Sequence, residues 1–125
     1  MKRFAALCLA AVIAAGPAIA QSVAVTVGHD GPGADACAGY GTPQGLNPRG
    51  DNFLAVRSGP GTKYRMVDKL LTGDGFWVCS QQGAWLGIVY GAEDCGVGAP
   101  LRVGPYRGPC QMGWVHGRFV SIIAG

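Results

Sequence analysis

Apolar residues along this chain come in short runs separated by glycine-rich breaks, and none of the runs has a helical period. No window sustains apolar positions at i, i+3, i+4 and i+7. Four- to eight-residue runs rich in Val, Ile, Leu, Phe and Trp recur instead, with glycine in twos and threes between them. That pattern predicts an all-β chain of short strands and many turns. The predicted strands cover residues 23–27, 53–57, 64–71, 76–80, 84–90, 113–116 and 120–123. Thr72-Gly73-Asp74-Gly75 and Gln81-Gln82-Gly83 read as tight turns, and Gly117-Arg118-Phe119 as one helical turn. Residues 28–52, rich in Gly, Pro, Asp and Asn, read as a long loop, and residues 91–112 as a second irregular segment. Alternation marks Val56, Val67, Leu70, Val78, Ile88 and Val120 as core candidates.

The first twenty residues follow a different pattern. Lys2 and Arg3 precede an apolar run over residues 4–15, then Gly16-Pro17, then Ala18-Ile19-Ala20 before Gln21. This is the layout of a cleaved secretory signal, and the run is shorter than the roughly 20 residues that span a bilayer. Cys8 lies too early in the run for a lipid-attachment site, and Leu7 stands where a small residue would be needed. Cleavage after Ala20 leaves 105 of the 125 residues, enough for one small domain. The expected product is secreted, periplasmic, monomeric and without a membrane span.

Removing that segment changes the charge. The whole chain carries +3, and Lys2 and Arg3 supply two of those charges, so the cleaved chain carries +1. No basic stripe of the kind that binds nucleic acid is present. Arg102, Arg107 and Arg118 follow Asp94 with no further acidic residue, which reads as scattered solvated cations. Four cysteines remain: Cys37, Cys79, Cys95 and Cys110. An even number in a small exported chain implies two disulfides, and no CxxC pair suggests zinc or redox chemistry. Three pairings are possible. The preferred one joins Cys95 to Cys110 and ties Cys37, in the N-terminal segment, to Cys79.

Catalytic chemistry finds little to work with. The histidines are His29 and His116, and oxidised cysteines offer no thiolate nucleophile. Ser22, Ser58, Ser80 and Ser121 lie outside any nucleophile-elbow context, and Asp30 and Asp35 lack calcium-loop spacing. The expectation is a protein that is not an enzyme and has no metal or cofactor.

Residues 53–64, FLAVRSGPGTKY, carry a more specific signal. Two glycines around Pro60 predict a sharp turn with positive φ available on either side of it. Leu54, Val56, Arg57, Ser58, Gly59, Pro60, Gly61, Thr62 and Tyr64 are followed at family-like spacing by Val67, Leu70, Gly73, Asp74, Val78, Trp85 and Val89. A closing Gly113-Trp114-Val115 and Val120 complete the set. This resembles the bacterial SH3-like (SH3b) domain over residues 53–123. The resemblance implies a small barrel of five to six short strands, preceded by an N-terminal arm over residues 21–52. The disulfide-bracketed insertion at 91–112 departs from the family pattern. The family commonly accompanies peptidoglycan hydrolases, and its members are implicated in holding cell-wall peptides or protein segments.

What the resemblance implies for function is a non-catalytic module with a shallow, aromatic-rimmed groove. Tyr64, Tyr90 and Tyr106 are candidate lining residues by motif position. Trp77 lies beside Val78 and so faces the opposite side, either under the arm or on a binding face. Trp85 and Trp114 match family positions and read chiefly as packing, with Trp85 retained as a ligand candidate. Arg57 is placed either to hold loop carbonyls or to bind a carboxylate. A rival reading makes the protein an inhibitor or accessory subunit of an envelope enzyme, acting through the 91–112 insertion with its Pro100, Leu101, Tyr106 and Pro109. A second rival is a cell-wall hydrolase-associated protein.

Overall fold

The computed structural model describes residues 21–125; the expected secretory segment, with Cys8, lies outside them. The described chain is all-β, with one 3-10 turn at Gly117–Phe119. Its strands are β1 Thr26–Val27, β2 Gly39–Pro43, β3 Leu54–Arg57, β4 Met66–Leu70, β5 Phe76–Gln82, β6 Trp85–Tyr90, β7 Gly104–Pro105, β8 Gln111–His116 and β9 Val120–Ala124. Seven of them form one antiparallel sheet in the order β4-β3-β8-β6-β5-β2-β9, and β1 pairs with β7 apart from it.

The expected barrel is not closed. β4 and β9 are the two ends of the strand order, and each pairs with one neighbour. The sheet is also larger than expected, because the N-terminal segment is no separate arm. Within the stretch read as a loop, β2 pairs with β5 on one side and β9 on the other. Gly39, Gly41 and Pro43 disguised this strand. Gly41 sits where a Cβ would come within 3.0 Å of the Ser121 carbonyl and 3.1 Å of the Phe76 ring. The residue that looks like a strand breaker is what lets β2 nest between its neighbours.

Alternation divides the side chains between two cores, one on each face of the sheet. On one face lie Leu54, Val56, Leu70, Phe76, Ile88, Tyr90, Val115 and Val120. On the other lie Val89 and Trp114, with Val25, Val27, Ala36, Cys37, Cys79, Cys95, Val97 and Tyr106. Of the expected core residues, Val56, Leu70, Ile88 and Val120 are buried, and Val78 is half-buried against the first cluster. Val67 is a correction, being 44% exposed. The β3–β4 register steps from Val56↔Asp68 to Arg57↔Met66, so Val67 is the extra residue of a bulge.

The second core explains the 91–112 segment. It does not protrude but lies against the N-terminal segment. Thr26 pairs with Pro105 and Val27 with Gly104. The amide of Tyr106 donates to Val25 O at 2.8 Å and that of Ala36 to Ala99 O at 3.1 Å. The disulfides join Cys37 to Cys79 and Cys95 to Cys110. The first ties the N-terminal segment to β5 across 42 residues. Two disulfides suit an oxidising compartment outside the cytoplasm.

Candidate functional site

The site is built around the end of β3. There the chain leaves Arg57 and turns through Ser58-Gly59-Pro60-Gly61-Thr62. The turn is closed by Gly61 N–H donating to Gly59 O at 2.9 Å and Ser58 N–H to Arg65 O at 3.0 Å. Neither Gly59 nor Gly61 takes positive φ, contrary to the sequence expectation. Gly59 is needed for a different reason: the Tyr64 ring lies flush on it, and any Cβ there would run into the ring. Arg57 Nη1 donates to the Tyr64 carbonyl at 2.9 Å and holds the two ends of the turn together.

Beside this turn is an open groove of about 390 Å³. Leu46, Phe53, Trp85 and Phe119 give it apolar walls, and Asp51, Arg57 and His116 bring polar groups into the lining. The walls come from different parts of the chain. Phe53 precedes β3 and Trp85 opens β6, while His116 precedes the 3-10 turn and Phe119 ends it. His116 caps that turn, its Nδ1 accepting from Arg118 N–H at 3.1 Å. Its ring meets Trp85 edge-on with centroids 5.3 Å apart, and Phe119 at 6.1 Å. The amide of Gln44 donates to Phe119 O at 2.8 Å, which ties the loop bearing Leu46 and Asp51 to the same turn. Two cations stand at the rim: Lys69 Nζ is 4.4 Å from the Phe53 ring centroid, and the Arg118 guanidinium 5.8 Å from that of Phe119.

Of the residues singled out in the sequence, Arg57 and Trp85 line this groove. Tyr64 sits behind the turn, its ring on Gly59. Trp77 shares a sheet face with Val89 and Trp85 but stands outside the groove lining, half-buried against the second core and edge-on to Tyr40 at 4.9 Å. Tyr90 is buried, and its hydroxyl donates to Asp68 Oδ2 at 2.8 Å. Burial first, then this hydrogen bond and then the carboxylate charge push its phenol well above the ordinary tyrosine value. Tyr106 is buried in the second core. It donates to Cys95 O at 2.7 Å and accepts from Cys110 N–H at 3.1 Å, bracing the disulfide loop from within. Trp114 is buried as packing, with its indole N–H on Val23 O at 2.8 Å.

Phe53, Asp51, His116 and Phe119 were not singled out for the groove. The signal for two of them was present, because His116 and Phe119 stand three apart across a predicted helical turn and so lie on one side of it. A second depression, of about 560 Å³, lies between residues 28–33 and 100–103. His29, Pro32, Leu101, Arg102 and Val103 line it, with Val103 64% exposed.

Among the described residues no three His, Cys, Asp or Glu side chains gather as a metal site, and no helix is long and apolar enough to cross a membrane. Compared with known proteins, the chain matches no family description, no curated protein and no solved structure.

Proposed function

We propose that this chain is a secreted, periplasmic, non-catalytic binding module of SH3-like descent, its barrel opened by added strands. In this reading it holds a cell-wall peptide or a segment of an envelope protein in the groove beside the Ser58–Thr62 turn. The observation that carries the reading is the groove itself, with apolar walls from Leu46, Phe53, Trp85 and Phe119 and polar groups of Asp51, Arg57 and His116 in its lining. Small-ligand sites have this composition: apolar walls give affinity and a few polar groups fix orientation. The disulfides support an exported location.

Co-sedimentation with purified peptidoglycan sacculi tests the reading. The wild-type protein should pellet with them. The double variant Trp85→Ala/Phe119→Ala should lose at least about tenfold in affinity, in line with truncation of aromatic anchors. Equal pelleting of a variant that is still folded by circular dichroism would count against the groove.

A second reading, an inhibitor or accessory subunit that docks an envelope enzyme, is favoured by one observation. Leu101 and Val103 are exposed beside the second depression. It requires capture of one envelope protein that Leu101→Ser/Val103→Ser abolishes and that the groove variant leaves intact.

A further inference from the structure

We propose that the groove recognises the free carboxyl end of a short apolar peptide, with Arg57 as the anchor for the carboxylate. This rests on the binding reading above and specifies its ligand. Within the lining Asp51 and Arg57 balance each other, and Lys69 and Arg118, against the Phe53 and Phe119 rings, leave the surroundings of the groove with a positive excess.

Arg57 is suited to the task because it is already held. A guanidinium carries five N–H donors in a rigid fork. The recorded hydrogen bond of Arg57 goes to the Tyr64 carbonyl, a neutral partner, which fixes the side chain without neutralising it. A fork oriented in advance loses less freedom when a carboxylate arrives, and charge-assisted bonds are the stronger kind. The aromatic walls also point away from a cationic ligand. Lys69 already stands over Phe53 and Arg118 over Phe119, so a ligand ammonium would meet two like charges. The groove volume, about 390 Å³, is near the low end for small-ligand sites and suits one or two apolar residues rather than a long segment.

The test uses two probes that differ only in charge, N-acetyl-leucyl-alanine as the free acid and as its C-terminal amide. Amide NMR shifts of the 21–125 protein are followed during titration with each. The acid should bind roughly tenfold tighter than the amide, the usual scale of one charge-assisted bond. Arg57→Gln should reduce that preference to within about twofold. Because Arg57 also braces the turn, Lys69→Gln/Arg118→Gln serves as a second variant, both residues being exposed. It should narrow the preference about threefold and weaken its dependence on salt. Equal binding of acid and amide overturns the carboxylate inference and leaves the groove reading standing. Binding of neither also overturns the inference, and the sacculus experiment then decides the groove reading on its own. A preference unchanged in both variants removes Arg57 and the rim cations from the account.

Discussion

At the scale of single residues, Tyr90 has the clearest electrostatic consequence. It is 5% exposed, and its hydroxyl donates to Asp68 Oδ2. Burial, the hydrogen bond and the carboxylate charge all favour the neutral phenol, so its folded value lies above the unfolded one. The contribution to stability is therefore complete below the unfolded tyrosine value of about 10 and is lost as pH climbs beyond it. Urea unfolding between pH 7 and 11.5 should show the wild type losing stability more steeply above pH 10 than Tyr90→Phe does. At pH 7 that variant should cost about 1 kcal/mol, the net worth of one hydrogen bond. Parallel curves would mean that Tyr90 ionises as freely in the folded state as in the unfolded one. The same residue shows why motif position does not tell where an aromatic side chain lies. Position told that Tyr64, Tyr90 and Tyr106 are aromatic, but the hydrogen-bond partners of Tyr90 and Tyr106 lie 22 and 11 residues away.

Among the elements, β7 and the segment around it are held by a bridge of their own. The Cys95–Cys110 bridge closes a 15-residue separation, and the Tyr106 hydroxyl braces it. Chain-entropy reasoning gives such a loop roughly 3 kcal/mol. Cys95→Ala/Cys110→Ala should lower unfolding stability by about that amount. Hydrogen exchange should rise first at Gly104 and Tyr106, while the β6–β8 ladder stays protected. Unchanged stability and exchange would show that pairing with β1 holds the segment without the bridge. Strands with plain alternation, such as β3, β5, β6 and β8, were legible within a residue or two. β2 was not, since its Gly39, Gly41 and Pro43 read as loop composition until Phe76 and Val120 are seen crowding against Gly41. The bulge that exposes Val67 was equally hidden, because alternation cannot show where a register slips.

For the whole molecule, one open sheet carries a core on each face, and the N-terminal and 91–112 segments together cover one of them. Their union was not readable from the chain, since it depends on contacts between segments some 80 residues apart, such as Val25 with Tyr106. The candidate groove lies at the end of β3 and the turn before β9, and Trp85 joins its wall to the second core. Two of its members, Arg57 and Trp85, were legible. The rest come from β3 and its turn, β8, the 3-10 turn and the loop before β3, which only the fold brings together. The central claim is that this groove is where the protein binds. Mapping amide shifts during titration with soluble peptidoglycan fragments tests it most directly. The account predicts the largest changes at Phe53, Arg57, Trp85, His116 and Phe119. Changes concentrated at Leu101, Arg102 and Val103, or none at saturating fragment, would contradict it.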